Sequence, residues 1–242
     1  MPPGCIETLS ASLSRQLTVD YDYVWFVPSG AVREDLRQAT LVSLPIQNWQ
    51  ARSSAAGAAI TRGGARPDDD LWVSGAPGRA ALGLAHLRGD THLADTYRDD
   101  CLAALHRPQP RVALGLGLRG IASAMLDVSD GLLGDLDHIL ESSCVGAVID
   151  EANLPLAPLV AACGDPARAF AACTGGGDDY ELLFTAPPTQ RAALADLSAR
   201  LALPLHRIGS ITPATRGLHL RDTGGTLREL AARGYDHFGN GA

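Results

Sequence analysis

The stretch from Met125 to Ser142 constrains the fold most. Met125-Leu126-Asp127-Val128-Ser129-Asp130-Gly131-Leu132 turns an extended apolar segment directly into a helix. Leu132, Leu133, Leu136, Ile139 and Leu140 fall at i, i+1, i+4, i+7 and i+8, one continuous apolar face over about Asp130 to Ser142. Such a face must be buried against a second layer. Ser129 or Asp130 is the expected N-cap.

The rest of the chain from about residue 53 onward alternates in the same manner. Leu71-Trp72-Val73-Ser74 reads as a short buried strand, and Pro77 opens a helix to about Arg88 with Ala81, Leu84, Ala85 and Leu87 on its apolar face. A helix is expected from Leu93 to Leu105, stopped by Arg107-Pro108-Gln109-Pro110. Strands are predicted at Val145–Ile149, Tyr180–Thr185 and Leu205–Ile208, with an amphipathic helix from Pro188 to Leu201 and a hairpin around Asp222-Thr223-Gly224-Gly225. Interleaved strands and helices of this kind give an α+β fold, a mixed β-sheet covered by helices. Residues 1–52 hold two possible strands, Tyr23–Val27 and Thr40–Leu44, but no amphipathic helix of useful length. The expected organisation is therefore a divergent or truncated N-terminal segment, 1–52, and one domain, 53–242.

Composition narrows the chemistry. All 20 basic residues are arginine. That excludes every mechanism with an obligatory lysine, from Schiff bases to the Walker phosphate loop and the protein-kinase ATP lysine. A formal net charge of −7 argues against a nucleic-acid partner. The five cysteines are widely spaced with no C-x-x-C pair, as expected for reduced, mostly buried thiols. No apolar run approaches the ~20 residues of a membrane span and Met1–Thr18 is no signal peptide, so a soluble cytoplasmic protein is expected.

Two clusters carry chemistry. Asp127 and Asp130 stand three residues apart at a helix entry, where both carboxylates can address one cation; hard oxygen ligands suit Mg²⁺ bridging nucleotide phosphates. Ser129 and the amides of that turn are candidate phosphate donors. Asp130 alone would be an ordinary capping residue; the pair together, between apolar flanks, favours a metal. The second cluster is Thr174-Gly175-Gly176-Gly177-Asp178-Asp179-Tyr180-Glu181-Leu182-Leu183-Phe184. Its glycines permit close backbone approach to a ligand, with acids at the mouth of a strand. It is not the G-x-G-x-x-G of a dinucleotide fold.

Taken together, the runs Asp127–Leu132 and Gly176–Phe184 with the tail Gly234-Tyr235-Asp236-His237-Phe238 closely resemble the thiamine-monophosphate kinase family, of the aminoimidazole-ribonucleotide synthetase-like ATP-binding superfamily. The resemblance extends upstream through Arg107–Arg111 and Gly83–Leu87 to Ala58–Pro67, so it covers about Ser53 to the C-terminus. It implies ATP-dependent phosphorylation of thiamine monophosphate to thiamine diphosphate, with Mg²⁺ ions between phosphates and aspartates and no phosphate-loop lysine. By the same resemblance Asp127 and Asp130 match metal ligands, Arg62 and Ser129 match ATP-binding positions, and Asp178 and Tyr235 match substrate-binding positions. Asp178 stands where the family commonly has glutamate.

The family's N-terminal G-D-D-A, T-D-x-L-x-x-G-x-H-F and G-G-D-T-T-R-G motifs do not occur in this sequence. Asp68-Asp69-Asp70 is read instead as a solvated loop. The N-terminal domain, which supplies further metal ligands and the homodimer interface in the family, is expected to be truncated or replaced. A catalytically inactive remnant or ligand-binding module is the alternative function. A selenophosphate synthetase-like or hydrogenase-maturation relative is disfavoured by the Gly234–Phe238 tail and the Asp179–Phe184 strand.

Overall fold

A computed structural model describes residues 59–230; the possible strands at Tyr23–Val27 and Thr40–Leu44, and Tyr235 with its tail, lie outside them. The chain divides between Ala59 and Ile60, and nearly all described residues belong to the second unit. Their strands are β1 (Asp70–Ser74), β2 (Ala124–Asp127), β3 (Val145–Asp150), β4 (Leu182–Ala186), β5 (Leu205–Pro213), β6 (Leu218–Arg221) and β7 (Leu227–Glu229). They form one mixed sheet in the order β2-β4-β1-β5-β3-β6-β7, antiparallel except for the β3–β6 pair. The helices are α1 (Arg79–Arg88), α2 (Asp95–His106), α3 (Val112–Gly117), α4 (Leu132–Ser143), α5 (Ala157–Cys163), α6 (Pro166–Gly175) and α7 (Arg191–Leu201).

Both faces of the sheet are covered. Leu71 and Val73 of β1 and Leu183 of β4 join a core with Leu82 of α1, Leu132, Leu136 and Ile139 of α4, and Leu159 of α5. The alternate residues, Trp72, Leu182 and Phe184, pack on the other face with Leu114 of α3 and Leu194 and Leu197 of α7. Trp72 and Phe184 are directly opposed across β1 and β4, their rings stacked at 6.3 Å. This double coverage explains why every residue of β4 is buried and why its sequence is a near-continuous apolar run, interrupted only by Thr185, rather than an alternation.

Several expectations change. The inward face of α1 is Ala80, Leu82 and Gly83, and Leu87 is 55% exposed; Gly83 belongs to it because its Cα meets the Cys101 carbonyl of α2, where a Cβ would be crowded. Helix α4 begins at Leu132, and its N-cap is Gly131 at φ +107° with no side-chain cap; Ser129 and Asp130 stand before the cap, their amides donated to the Asp135 carboxylate. Helices α3, α5 and α6 were not foreseen from periodicity; two of them have only six and seven residues. Of the four described cysteines, Cys101 and Cys173 are buried, Cys163 is half-buried and Cys144 is exposed, all as free thiols.

The Asp68–Asp70 run is not a solvated loop. Asp69 and Asp70 are both buried. Asp69 accepts hydrogen bonds from the Arg66 amide (3.0 Å) and Ser123 Oγ (2.6 Å). Asp70 opens β1 and receives a two-pronged bond from Arg191 of α7 (2.6 and 2.7 Å) and a third from Arg207 of β5 (3.3 Å). Burial alone pushes the Asp70 carboxyl up, but the bonds and charges of the two arginines outweigh it and hold it below the usual carboxylate range. A depressed folded value adds stability above the unfolded value, and this is lost as pH falls through the folded one. Asp70→Asn is therefore expected to lower the melting temperature at neutral pH, with the difference from wild type shrinking as pH falls below the ordinary carboxylate range, checked by thermal unfolding at a series of pH values.

Candidate functional site

Two loops meet at one end of the central strands. Asp127 ends β2, opposite Leu182 of β4. Beyond that pair the two chains stay joined: the Val128 amide donates to the Glu181 carbonyl (2.7 Å), the Tyr180 amide to the Val128 carbonyl (2.9 Å), and the Asp178 amide to the Ser129 carbonyl (3.0 Å). The glycines make this contact possible. A Cβ on Gly177 would collide with the Ser129 carbonyl oxygen, and one on Gly131 with the backbone of Gly175. They serve the approach of one loop to the other, and Gly175 is the last residue of α6.

The sequence-predicted carboxylates come together here. Asp127, Ser129 and Asp130 are half-buried and Asp178 is exposed. Burial first, and then the charge of Asp130, raise the Asp127 carboxyl above its usual range. Asp135 of α4 holds the loop: its Oδ2 accepts the amides of Ser129 (2.9 Å) and Asp130 (3.0 Å). Burial pushes its carboxyl up to about 6 against those two bonds, with Asp130 and Asp127 adding to the rise. Two amides expected to face a phosphate are thus occupied. Arg62 is exposed and its backbone lies elsewhere: its carbonyl accepts from Ser143 Oγ at the C-terminal end of α4 (3.0 Å), whereas the carboxylates sit at the N-terminal end.

Behind the loops lies a buried ionic cluster that the motif reading assigned no role. Glu181 is 0% exposed. It accepts from Ser74 Oγ of β1 (2.5 Å), from Arg79 of α1 (3.2 Å), and from Arg111 through two bonds of 2.8 and 2.6 Å. Ser74 Oγ in turn accepts the Leu182 amide (2.9 Å). Gly75, at φ +59°, leaves the room that the Glu181 carboxylate fills. Asp179, also buried, caps the α1 entry by accepting the amides of Gly78 (2.5 Å) and Ala80 (3.0 Å). Burial pushes its carboxyl up to about 6, and the two bonds and Arg79 only partly offset this. Sequence alone carries little signal for this cluster: Asp178-Asp179-Tyr180-Glu181 alternates exposed, buried, exposed, buried only in the fold, and Arg111 lies 70 positions from Glu181.

Asp178 and Tyr180 take the outward positions with left-handed backbone, φ +67° and +53°. The Tyr180 hydroxyl is made less acidic by burial and then by the charges of Asp178, Asp127 and Asp130. No group of three or more acidic, histidine or cysteine side chains among the described residues is arranged to hold a metal. The donor set of Asp127 and Asp130 nevertheless fits a hard divalent cation of the Mg²⁺ kind, which takes one or two carboxylates and completes its shell with water and phosphate oxygens. No described helix is long and apolar enough to cross a membrane.

Residues 66–219 match the family described as AIR synthase related protein, C-terminal domain. Over 184 residues the chain is 42% identical to the thiamine-monophosphate kinase of Escherichia coli (strain K12), a match covering 75% of this chain and 56% of that protein. The crystal structure of thiamine-monophosphate kinase from Stenotrophomonas maltophilia K279a superposes with a TM-score of 0.63 at 43% identity, covering 68% of this chain and 53% of that one. AaThiL complexed with AMPPCP and TMP gives 0.61 at 27% identity, covering 74% and 54%. The chain therefore spans about half the length of the kinases it matches. A further 46-residue match, 19% of the chain, is 83% identical to the uncharacterized HTH-type transcriptional regulator YdcI of Escherichia coli (strain K12), over 15% of that protein.

Arg111→Ala removes two of the bonds to a fully buried carboxylate, and is expected to cost about 3 kcal/mol in chemical denaturation. Asp179 generates a pH dependence of its own. Its folded carboxyl keeps a proton that the unfolded chain releases near pH 4, so its contribution to stability falls as pH rises from about 4 to about 6 and then levels. Asp179→Asn should flatten that slope and cost about 1–3 kcal/mol for the lost acceptor, read from denaturant midpoints at each pH.

Proposed function

We propose that this chain, which belongs to the AIR synthase related protein C-terminal domain family, carries the substrate-facing half of a thiamine-monophosphate kinase, catalysing ATP-dependent phosphorylation of thiamine monophosphate to thiamine diphosphate. The observation that carries this reading is the junction of the 127–131 and 175–181 loops, which gathers Asp127, Ser129, Asp130 and Asp178 at one end of the sheet. The identity to named kinases across the same residues and the AMPPCP and TMP bound to AaThiL support it.

In this reading Asp127 and Asp130 hold Mg²⁺, which neutralises phosphate charge when bound. Ser129 and Arg62 contact ATP, and Asp178 and Tyr235 the acceptor substrate. Arg62, a permanent planar cation away from the carboxylates, suits a phosphate or nucleotide reaching along α4. Transfer between phosphates is mostly positioning and charge neutralisation. A chain spanning half of its relatives, with two clustered carboxylates instead of a full set, is therefore expected to turn over orders of magnitude more slowly than they do. The reading also divides the chain into a divergent or truncated lead, 1–52, and a kinase-like domain, 53–242. It puts the protein in the cytoplasm, with a homodimer as its proposed partner state.

The test is formation of thiamine diphosphate by the purified chain with Mg²⁺ and ATP. Turnover abolished by Asp127→Ala is the expected result. No turnover at any Mg²⁺ concentration, with calorimetric binding of the ligands retained, would instead establish the binding-module alternative.

A further inference from the structure

Tyr180 is the one residue at the loop junction without a role so far. Its neighbours Asp179 and Glu181 point inward and are committed to α1 and to the arginine cluster. Tyr180 points outward, 38% exposed, with its amide fixed to the Val128 carbonyl. Its φ of +53° is a conformation that bulky L residues seldom adopt and glycine adopts freely. If only the turn mattered, glycine or asparagine would serve it; if packing mattered, the ring would be buried like Phe184. Backbone strain of this kind persists where the surroundings impose it, and it concentrates at ligand clamps. The hydroxyl of the ring lies within electrostatic reach of Asp178, Asp127 and Asp130. An exposed aromatic face with carboxylates nearby attracts a flat cation over a neutral ring or an anion. Thiamine monophosphate carries such a cation, the quaternary nitrogen of its thiazolium ring, a short arm away from its phosphate.

We propose that Tyr180 is a positioning residue that takes the cationic heterocycle of the acceptor substrate on its ring face, with the substrate phosphate directed toward the Asp127–Asp130 loop. This rests on the function proposed above and adds to it how the acceptor is selected.

Calorimetry on the full chain tests it, with thiamine monophosphate as one probe and Mg²⁺ plus AMPPCP as the other. Tyr180→Phe should keep thiamine monophosphate affinity within about twofold, while Tyr180→Leu should lose about tenfold; AMPPCP affinity stays the same in both. Tyr180→Gly, which suits the left-handed backbone, should bind thiamine monophosphate as poorly as the leucine variant while melting no lower than wild type. Unchanged thiamine monophosphate affinity in Tyr180→Leu overturns the proposal and leaves the kinase reading standing. Equal losses in the phenylalanine and leucine variants also overturn it, since the hydroxyl and not the ring would then be responsible. A wild-type chain that binds neither probe overturns both readings.

Discussion

A carboxylate shut away from water must be matched by cations or it stays protonated, and Glu181 is such a group. Its partners come from three separate places in the chain: Ser74 at the end of β1, Arg79 in the first turn of α1, and Arg111 just before α3. Satisfying one buried charge therefore ties a central strand and the entries of two helices to the start of β4. The neighbouring Asp179 ties the α1 entry a second time, through backbone amides. The candidate site is built on that anchor. Asp178 and Tyr180 face solvent because the residues between and after them are held inward.

The site's other half follows from backbone proximity. Gly131 and Gly177 let two loops share hydrogen bonds where any side chain would push them apart. The result concentrates Asp127, Asp130 and Asp135 within mutual influence, and each of Asp127 and Asp135 is pushed toward protonation by burial before any effect of its neighbours. Carboxylates in that condition gain most from a divalent cation, which favours their ionised form. Acidic groups on one wall and the exposed Tyr180 ring beside them suit ligands that bring their own positive charge, whether a metal or a cationic heterocycle.

The fold class was legible because the apolar periodicity of α4 and α7 and the apolar runs of β1, β3 and β4 are strong local signals. Short helices such as α3 and α5 were not, since six or seven residues hold too little periodicity and tertiary packing decides their state. The three-residue spacing of Asp127 and Asp130 put both at a helix entry, where the structure has them, while Asp178 was singled out by the family resemblance. Asp69, Asp70, Asp179 and Glu181 were misread or passed over for one reason: an acidic residue in sequence looks solvated until its partner is known. Apart from the Arg66 amide on Asp69, those partners lie 54 to 137 positions away, as with Ser123 for Asp69 and Arg207 for Asp70.

By itself the sequence determined the alternation of strands and helices, the exclusion of lysine-dependent chemistry, and the motifs by which the chain resembles its family, because each is a property of neighbouring residues or of composition. Only the tertiary structure decided which acids are buried with partners and which line the loop junction, which glycines serve loop contact, and that the Arg62 backbone stands apart from the carboxylates. Those distinctions depend on burial and on charge partners brought from distant parts of the chain, and neither exists until the sheet has closed around them.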